Sequence, residues 1–268
     1  MTLPVDLVLV RHGQSERNAA QRMSEAGQDE VFTEEFLRRH TASSRLTNLG
    51  RYQAEMAGEF LRIEFSQGFD RYITSEYVRA METAGLLGLP NAKWYCEPYL
   101  VERDWGDIHN CTVAEREARY GNELRCWKTE PLFWRPPRGE SMSELCLRVD
   151  RVLQTLHREC GDKQSAIVVC HGEVMRAFQI RLERLSQVRL KELVFSENKE
   201  DSIFNCQIIH YCRHRLKDGK LSPYIEKVRY IRPTEKPKIM SEWRQIERVK
   251  FSNEDLLARV AQVPMMIR

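Results

Sequence analysis

The sequence predicts an α/β fold with three layers, α/β/α, and a mostly parallel central sheet. Two observations carry that expectation. Residues 5–10 and Ala166–Cys170 are apolar, largely β-branched runs, the pattern of strands buried on both faces. Strand and helix patterns then alternate along the chain, as parallel strands joined by crossover helices require.

Taken in order, residues 5–10 form the first strand. Residues 47–63 place Leu49, Tyr52, Ala54, Met56, Ala57, Phe60 and Leu61 near a helical period, with Thr47 as N-cap. A short strand follows at 71–74. A helix at 77–87 carries Met81, Ala84 and Leu87, and a further strand lies at 93–96. Residues 141–160 give the clearest helix: Leu145, Val149, Val152, Leu153 and Leu156 make one stripe, and Ser141 with Glu144 a capping box. The strand Ala166–Cys170 leads directly into a helix over 174–185. Residues 203–212 and 224–231 read as strands of a hairpin around Asp218-Gly219.

Two segments break the rhythm. Residues 19–45 are polar and partly helical. Residues 107–139 hold a short helix at 112–120 and end in the loop Trp134-Arg135-Pro136-Pro137-Arg138-Gly139. Both leave the sheet at one edge and are expected to form a cap. Residues 1–212 are therefore expected to be one domain with cap insertions at about 19–45 and 107–139. Residues 213–268 are expected to add a hairpin and a helix over 254–263, packed on the same domain.

Composition excludes several classes. The chain has 268 residues, 42% hydrophobic and 30% charged, a balance that argues against disorder. It has no apolar stretch of membrane-spanning length, and the apolar start is too short and polar-ended for a signal peptide, so a cytoplasmic protein is expected. Eight cysteines include no C-x-x-C pair, so they read as small buried hydrophobes of a reduced compartment. The net charge of +3 is uneven: residues 213–268 hold 14 basic and 7 acidic side chains, and the rest of the chain is slightly acidic. Acidic residues interrupt that tail, which reads as a solvated face, and no nucleic-acid or membrane partner is expected.

The chemistry-bearing residues gather at strand ends. Arg11, His12 and Gly13 follow the first strand, with Asn18 near the start of the next helix. Cys170-His171-Gly172 repeats the arrangement at a second strand. Arg79 falls on the first helical turn after a third, and Glu102 follows a fourth. Ligands of open α/β sheets bind beyond the carboxyl ends of the strands. Two histidines, two arginines and a carboxylate there suit phosphoryl transfer, with an imidazole nucleophile, guanidinium groups for the phosphate and an acid for the leaving oxygen.

Six elements in order resemble the histidine phosphatase superfamily, the clan of phosphoglycerate mutases and histidine acid phosphatases. They are Leu9-Val10-Arg11-His12-Gly13-Gln14-Ser15-Glu16-Arg17-Asn18, the Leu46–Ala54 stretch, Thr74-Ser75 through Arg79 to Ala84, Glu102-Arg103-Asp104-Trp105-Gly106, Gly139-Glu140-Ser141 and Val168-Val169-Cys170-His171-Gly172. The resemblance implies a phosphoglycerate mutase-like fold and a small phosphorylated substrate. It implies His12 as the nucleophile that becomes phosphohistidine and Glu102 as the proton donor. Arg11, Arg79 and His171 would clamp the phosphoryl oxygens, helped by Asn18 and the Gly172 amide. No metal and no cofactor are implied, and no metal-ligand spacing is present.

The pattern looks most like the phosphatase members, so a metal-independent phosphomonoester hydrolase is expected. Phosphoglycerate mutase-type transfer is the alternative, and a catalytically silent phospholigand-binding module the second. Asp104 is the alternative acid. Trp105 is read either as packing over substrate or as a core residue. His40, His109, His157, His210 and His214 lack strand-end context and read as structural or solvated. The mutases of the superfamily carry adjacent arginines after the acid motif; here Lys128 and Arg135 stand alone beside Leu132, Phe133 and Trp134. A less highly charged ester with apolar surface is therefore expected.

Overall fold

A computed structural model describes residues 2–267. Its strands are β1 (Asp6–Arg11), β2 (Arg71–Ser75), β3 (Trp94–Glu97), β4 (Ala166–Cys170), β5 (Ile208–Cys212), β6 (Lys227–Arg232), β7 (Ile239–Met240) and β8 (Arg244–Gln245). Its α-helices are α1 (Glu16–Glu25), α2 (Glu34–Arg38), α3 (Asn48–Glu64), α4 (Val78–Leu86), α5 (Val113–Thr129), α6 (Met142–Glu159), α7 (Gly172–Glu183), α8 (Gln187–Val194) and α9 (Asn253–Val260). All strands share one sheet in the order β3-β2-β4-β1-β5-β6-β7, with β8 also on β6. The four strands β3, β2, β4 and β1 are parallel; β5 and β6 run antiparallel.

The apolar run of β1 is explained by this position. Leu7 and Leu9 face one layer with α6 and α7, where Leu145, Val149 and Phe178 pack. Val8 and Val10 face the other with α3 and α4, where Ala54, Leu61 and Ala80 pack. A strand covered on both faces has no polar side to show. The α6 stripe is buried as its period demands, and the Ser141–Glu144 capping box starts it. No helix among the described residues is long and apolar enough to cross a membrane.

Three elements differ from the sequence expectation. The helix expected at 112–120 bends at Tyr120 and continues as α5 to Thr129. The strand expected from residue 203 begins only at Ile208, because Cys206 takes a left-handed conformation with φ 56°. The helix at the chain's end forms with its own Ser252–Asp255 capping box but is not packed on the domain: residues 249–267 are all exposed. The tail's anchors lie earlier, where Ile246 enters the core and Arg244 bonds the buried Glu183.

The cap forms at the carboxyl edge of the parallel strands. Its two segments hold each other: the Val113 amide donates to Ser24 Oγ at 2.9 Å, and Arg17 Nη1 donates to Asn110 Oδ1 at 2.7 Å. Glu82 on α4 receives Arg45 and Arg51 at the return of the first segment. The loop after β1 lies against the N-terminal end of α3. A Cβ on Gly50 would stand 2.0 Å from the Gln14 carbonyl oxygen, and one on Gly13 2.2 Å from the Gly50 carbonyl oxygen.

Gly50→Ala should therefore lower stability by about 1–3 kcal/mol or more, the usual cost of overpacking. The readout is the urea midpoint, and an unchanged midpoint would contradict the close backbone approach. Two truncations test the tail. Among the described residues, cutting after Lys250 removes only exposed ones and should leave the melting temperature unchanged, whereas cutting after Arg232 removes Ile246 and should lower it. Equal losses would show that the terminal helix is packed.

Candidate active site

Register brings the strand-end histidines together. Arg11 pairs with Cys170 at the last rung between β1 and β4, so His12 and His171 leave neighbouring strands side by side. Their ring centroids are 5.1 Å apart. Both rings are buried. The His12 amide donates to the Cys170 carbonyl at 3.0 Å, which extends the ladder by one bond and fixes the turn.

The protonation pattern of His12 follows from its two partners. Nδ1 lies 2.7 Å from the Gly13 carbonyl oxygen, which can only accept, so Nδ1 carries the hydrogen. Arg79 Nε donates to His12 Nε2 at 3.2 Å, so Nε2 presents a lone pair. Burial, reinforced by the Arg79 and Arg11 charges, holds the imidazole well below its ordinary pKa. His12 is thus a neutral base whose Nε2 lone pair lies among cations.

Those cations are secured by backbone oxygens. Arg11 Nη1 donates to the Ile203 carbonyl, while its buried Nε has no partner. Arg79 Nη1 donates to the Thr41 carbonyl at 2.8 Å, and its guanidinium lies over the Tyr77 ring. Among the described residues neither arginine has a carboxylate within 4.0 Å. Burial pushes Arg79 down to about 10, still charged at neutral pH. Gly172 begins α7 against the Arg11 guanidinium, 3.4 Å from Nε to the point where a Cβ would stand.

Glu102 reaches the same cavity from the loop after β3. Burial, with the charge of Glu173 added, raises its pKa above the ordinary carboxylate value, although Arg79, Arg11 and the Arg103 amide at 3.0 Å oppose the rise. Asp104, the alternative acid, is exposed and accepts from the Gly106 amide at 2.8 Å. Asn18 lines the cavity, and its Oδ1 accepts from the Ser15 amide and from Asn205 Nδ2.

His171 does not reach the cavity surface; it is covered by His12 and by Tyr77, whose ring centroid is 5.3 Å away. Its Nε2 bonds Ser75 Oγ at 2.8 Å, and its buried Nδ1 has no partner. Burial, then the nearby cations, holds its pKa well below the ordinary value.

The cavity has a volume of about 370 Å3 and runs from His12, Arg11 and Arg79 to the cap. Its apolar wall corrects the sequence expectation. Phe32, Phe36, Trp105 and Ile108 line it, not Leu132, Phe133 or Trp134. Phe133 is exposed, and Trp134 packs with Trp105 and Trp127 over Arg103. His109, read as structural or solvated, also lines the cavity, as do Arg17 and Arg116. Sequence reasoning missed Asn205 as well. Its Nδ2 donates to the His12 carbonyl and to Asn18 Oδ1, both at 3.1 Å, and so ties the loop after β1 to α1. The only sequence signal there was a polar residue inside an expected strand. Among the described residues no three or more His, Cys, Asp or Glu side chains cluster to hold a metal ion.

This fold and these strand-end residues place the chain in a known class. Residues 7–207 match the histidine phosphatase superfamily (branch 1), and the chain belongs to that superfamily of phosphatases and mutases. It is similar to the 2,3-bisphosphoglycerate-dependent phosphoglycerate mutase of Methylobacterium radiotolerans, 32% identical over 193 residues, covering 70% of this chain and 83% of the relative. It is similar over 65% of its length to the 6-phosphofructo-2-kinase/fructose-2,6-bisphosphatase of Gallus gallus, 30% identical and covering 32% of that protein. Among solved structures, mycobacterial glucosyl-3-phosphoglycerate phosphatase shares the fold with a TM-score of 0.61 at 23% identity, covering 77% of this chain and 92% of that one.

The depressed imidazoles set a stability prediction. His12, His109, His171 and His210 all sit below the ordinary value because burial disfavours their charged forms, and Glu102 alone in the cavity shifts the opposing way. As pH falls from about 7.5 to about 5.5, unfolded imidazoles bind protons that the folded ones refuse, so folding stability must fall. Urea unfolding at the two pH values checks this; a flat or rising midpoint would contradict neutral buried histidines.

Proposed function

We propose that the protein is a phosphatase that hydrolyses a small phosphomonoester through a phosphohistidine on His12. One observation carries the reading: a neutral imidazole with its Nε2 lone pair held beside Arg79 shares a cavity with a half-buried carboxyl of raised pKa, Glu102. The phosphoryl oxygens take the hydrogen bonds of Arg11 Nε, Arg79, the Gly172 amide and Asn18, with the buried His171 ring behind His12. As Arg79 turns from His12 to the phosphate, Nε2 is freed to attack phosphorus in line. The P–N bond forms, the ester P–O bond breaks, and Glu102 gives its proton to the leaving oxygen. Glu102, now a carboxylate, then takes a proton from water, whose oxygen attacks phosphorus and breaks the P–N bond. The scheme uses no metal or cofactor, because the guanidinium groups neutralise the phosphoryl charge. Eight free thiols among the described residues suit a reduced compartment and support a cytoplasmic setting.

Phosphoglycerate mutase activity is the second reading, favoured by relatives of that name at 29–33% identity. Against it, two of the cap cations after the acid motif turn away from the cavity: Arg135 faces the Gly139 carbonyl and Glu144, and Arg138 pairs with Asp107. The assay supplies 3-phosphoglycerate with a catalytic amount of 2,3-bisphosphoglycerate and follows 2-phosphoglycerate and free phosphate. The phosphatase reading expects no isomerisation above background, with phosphate released from some member of a wider phosphomonoester panel. Rapid isomerisation with little phosphate release would replace it with the mutase.

Glu102→Gln should slow hydrolysis of an alkyl phosphate by roughly 10²–10⁴-fold, the usual worth of general acid catalysis, and an aryl phosphate much less. In the wild type, the alkyl rate should fall as pH rises through the elevated Glu102 pKa and the proton is lost; in the variant that limb should vanish. Equal losses on both substrates would contradict the acid role.

A further inference from the structure

We propose that Arg176 is a positioning residue for phosphoryl transfer: it fixes the Asp201–Ile203 segment, whose carbonyl aims Arg11 at the phosphoryl group. The proposal rests on the phosphatase reading above and adds to it a residue that acts through another.

The aim of Arg11 depends on one carbonyl. Its Nη1 donates to Ile203, which leaves the unpartnered Nε for the phosphoryl oxygen. Ile203 lies in a stretch without a ladder of its own: residues 202–207 run from a short helical turn, Lys199–Asp201, to β5 in neither helix nor strand. No repeating backbone bond sets the direction of a carbonyl there. The next anchor is the Cys206 amide, which donates to the Arg11 carbonyl at 3.1 Å.

Arg176 supplies the missing hold. It stands on α7, the helix that begins at Gly172 against the Arg11 guanidinium. Its Nη2 donates to the Asp201 carbonyl at 2.6 Å, and its Nη1 to Gln179 Oε1 at 2.8 Å. Gln179 Nε2 donates in turn to the Tyr230 hydroxyl at 3.1 Å, so β6 braces the fork. The hold therefore runs from Arg176 to the Asp201 carbonyl, along two residues of chain to the Ile203 carbonyl, and so to Arg11.

Stability alone does not account for Arg176. It is buried, and among the described residues it has no carboxylate within 4.0 Å. Glu173, one turn earlier on α7, is paired with Arg103 at 3.3 Å. A buried charge given only neutral oxygens carries a desolvation cost that an apolar side chain of similar volume would avoid. Arg176, Arg11, Gly172 and Ile203 also line one cavity of about 190 Å3. Open space there leaves the segment room to shift once the guanidinium is gone.

The test is a double-mutant cycle on the whole protein, with orthovanadate binding read by titration calorimetry. Vanadate needs no turnover, and as a mimic of the transferring group it binds tightly enough to be followed after one arginine is lost. Arg176→Met should weaken it roughly 10-fold, the worth of one hydrogen bond to a charged group. In an Arg11→Met background the same substitution should cost less than about 2-fold, because the residue it acts through is gone. Should Arg176→Met not fold, Arg176→Lys enters the same cycle. It keeps the buried charge without the planar fork that spans Gln179 and the Asp201 carbonyl, and the same Arg11-dependent loss is expected. Unchanged affinity, or an equal loss in both backgrounds, would overturn the positioning role; equal losses would mean that Arg176 meets the anion directly or that its removal loosens the whole domain. Absence of vanadate binding by the wild type would overturn the phosphoryl clamp and the positioning role with it. An Arg11-dependent loss in a protein that releases phosphate from no phosphomonoester would keep the positioning role and overturn the phosphatase reading.

Discussion

Two guanidinium groups, Arg11 and Arg79, are withdrawn from water beside His12 and given carbonyl oxygens instead of carboxylates. The site depends on that arrangement. A carboxylate in salt-bridge contact would spend the positive charge inside the protein; a carbonyl orients the fork and leaves the charge for a ligand. Burial, reinforced by that charge, holds His12 and His171 well below the ordinary imidazole pKa. Glu102 retains its proton tendency because burial and Glu173 outweigh the attraction of the two arginines. An acid and a base with pKa values pushed in opposite directions thus face one cavity.

The rest of the fold holds this arrangement still. Parallel pairing of β1 with β4 sets the two imidazoles side by side, and two covered sheet faces leave the strands no freedom to slip. The loop carrying His12 is pressed on α3, where only glycine fits at position 50. The carbonyls that orient the arginines come from distant parts of the chain: Thr41 at the end of the first cap segment and Ile203 ahead of β5. The two guanidinium groups beside His12 are therefore tied to the first cap segment and to the chain ahead of β5.

Sequence alone exposed the frame of the site and left out its supports. His12, His171, Arg79 and Glu102 were legible because strand ends of a parallel sheet are ordered by hydrophobic pattern, and the motifs fall at those ends. Asn205 and the carbonyl of Thr41 were not, since each acts through a contact more than 30 positions away with no period or spacing to mark it. His109 read as structural or solvated because it lacks strand-end context, but it lines the cavity with Arg17 and Arg116. The terminal helix was read correctly as a helix and incorrectly as packed: its capping box is local, whereas packing needs a facing surface that the domain does not offer.

The central claim is covalent transfer of the phosphoryl group to His12. Its most direct test is rapid quenching of the enzyme with a substrate labelled in the phosphoryl group, followed by peptide mapping under alkaline conditions. The account predicts a label that is acid-labile and base-stable, carried on Nε2 of His12. A label on any other residue, or phosphate release at full rate from His12→Ala, would contradict it.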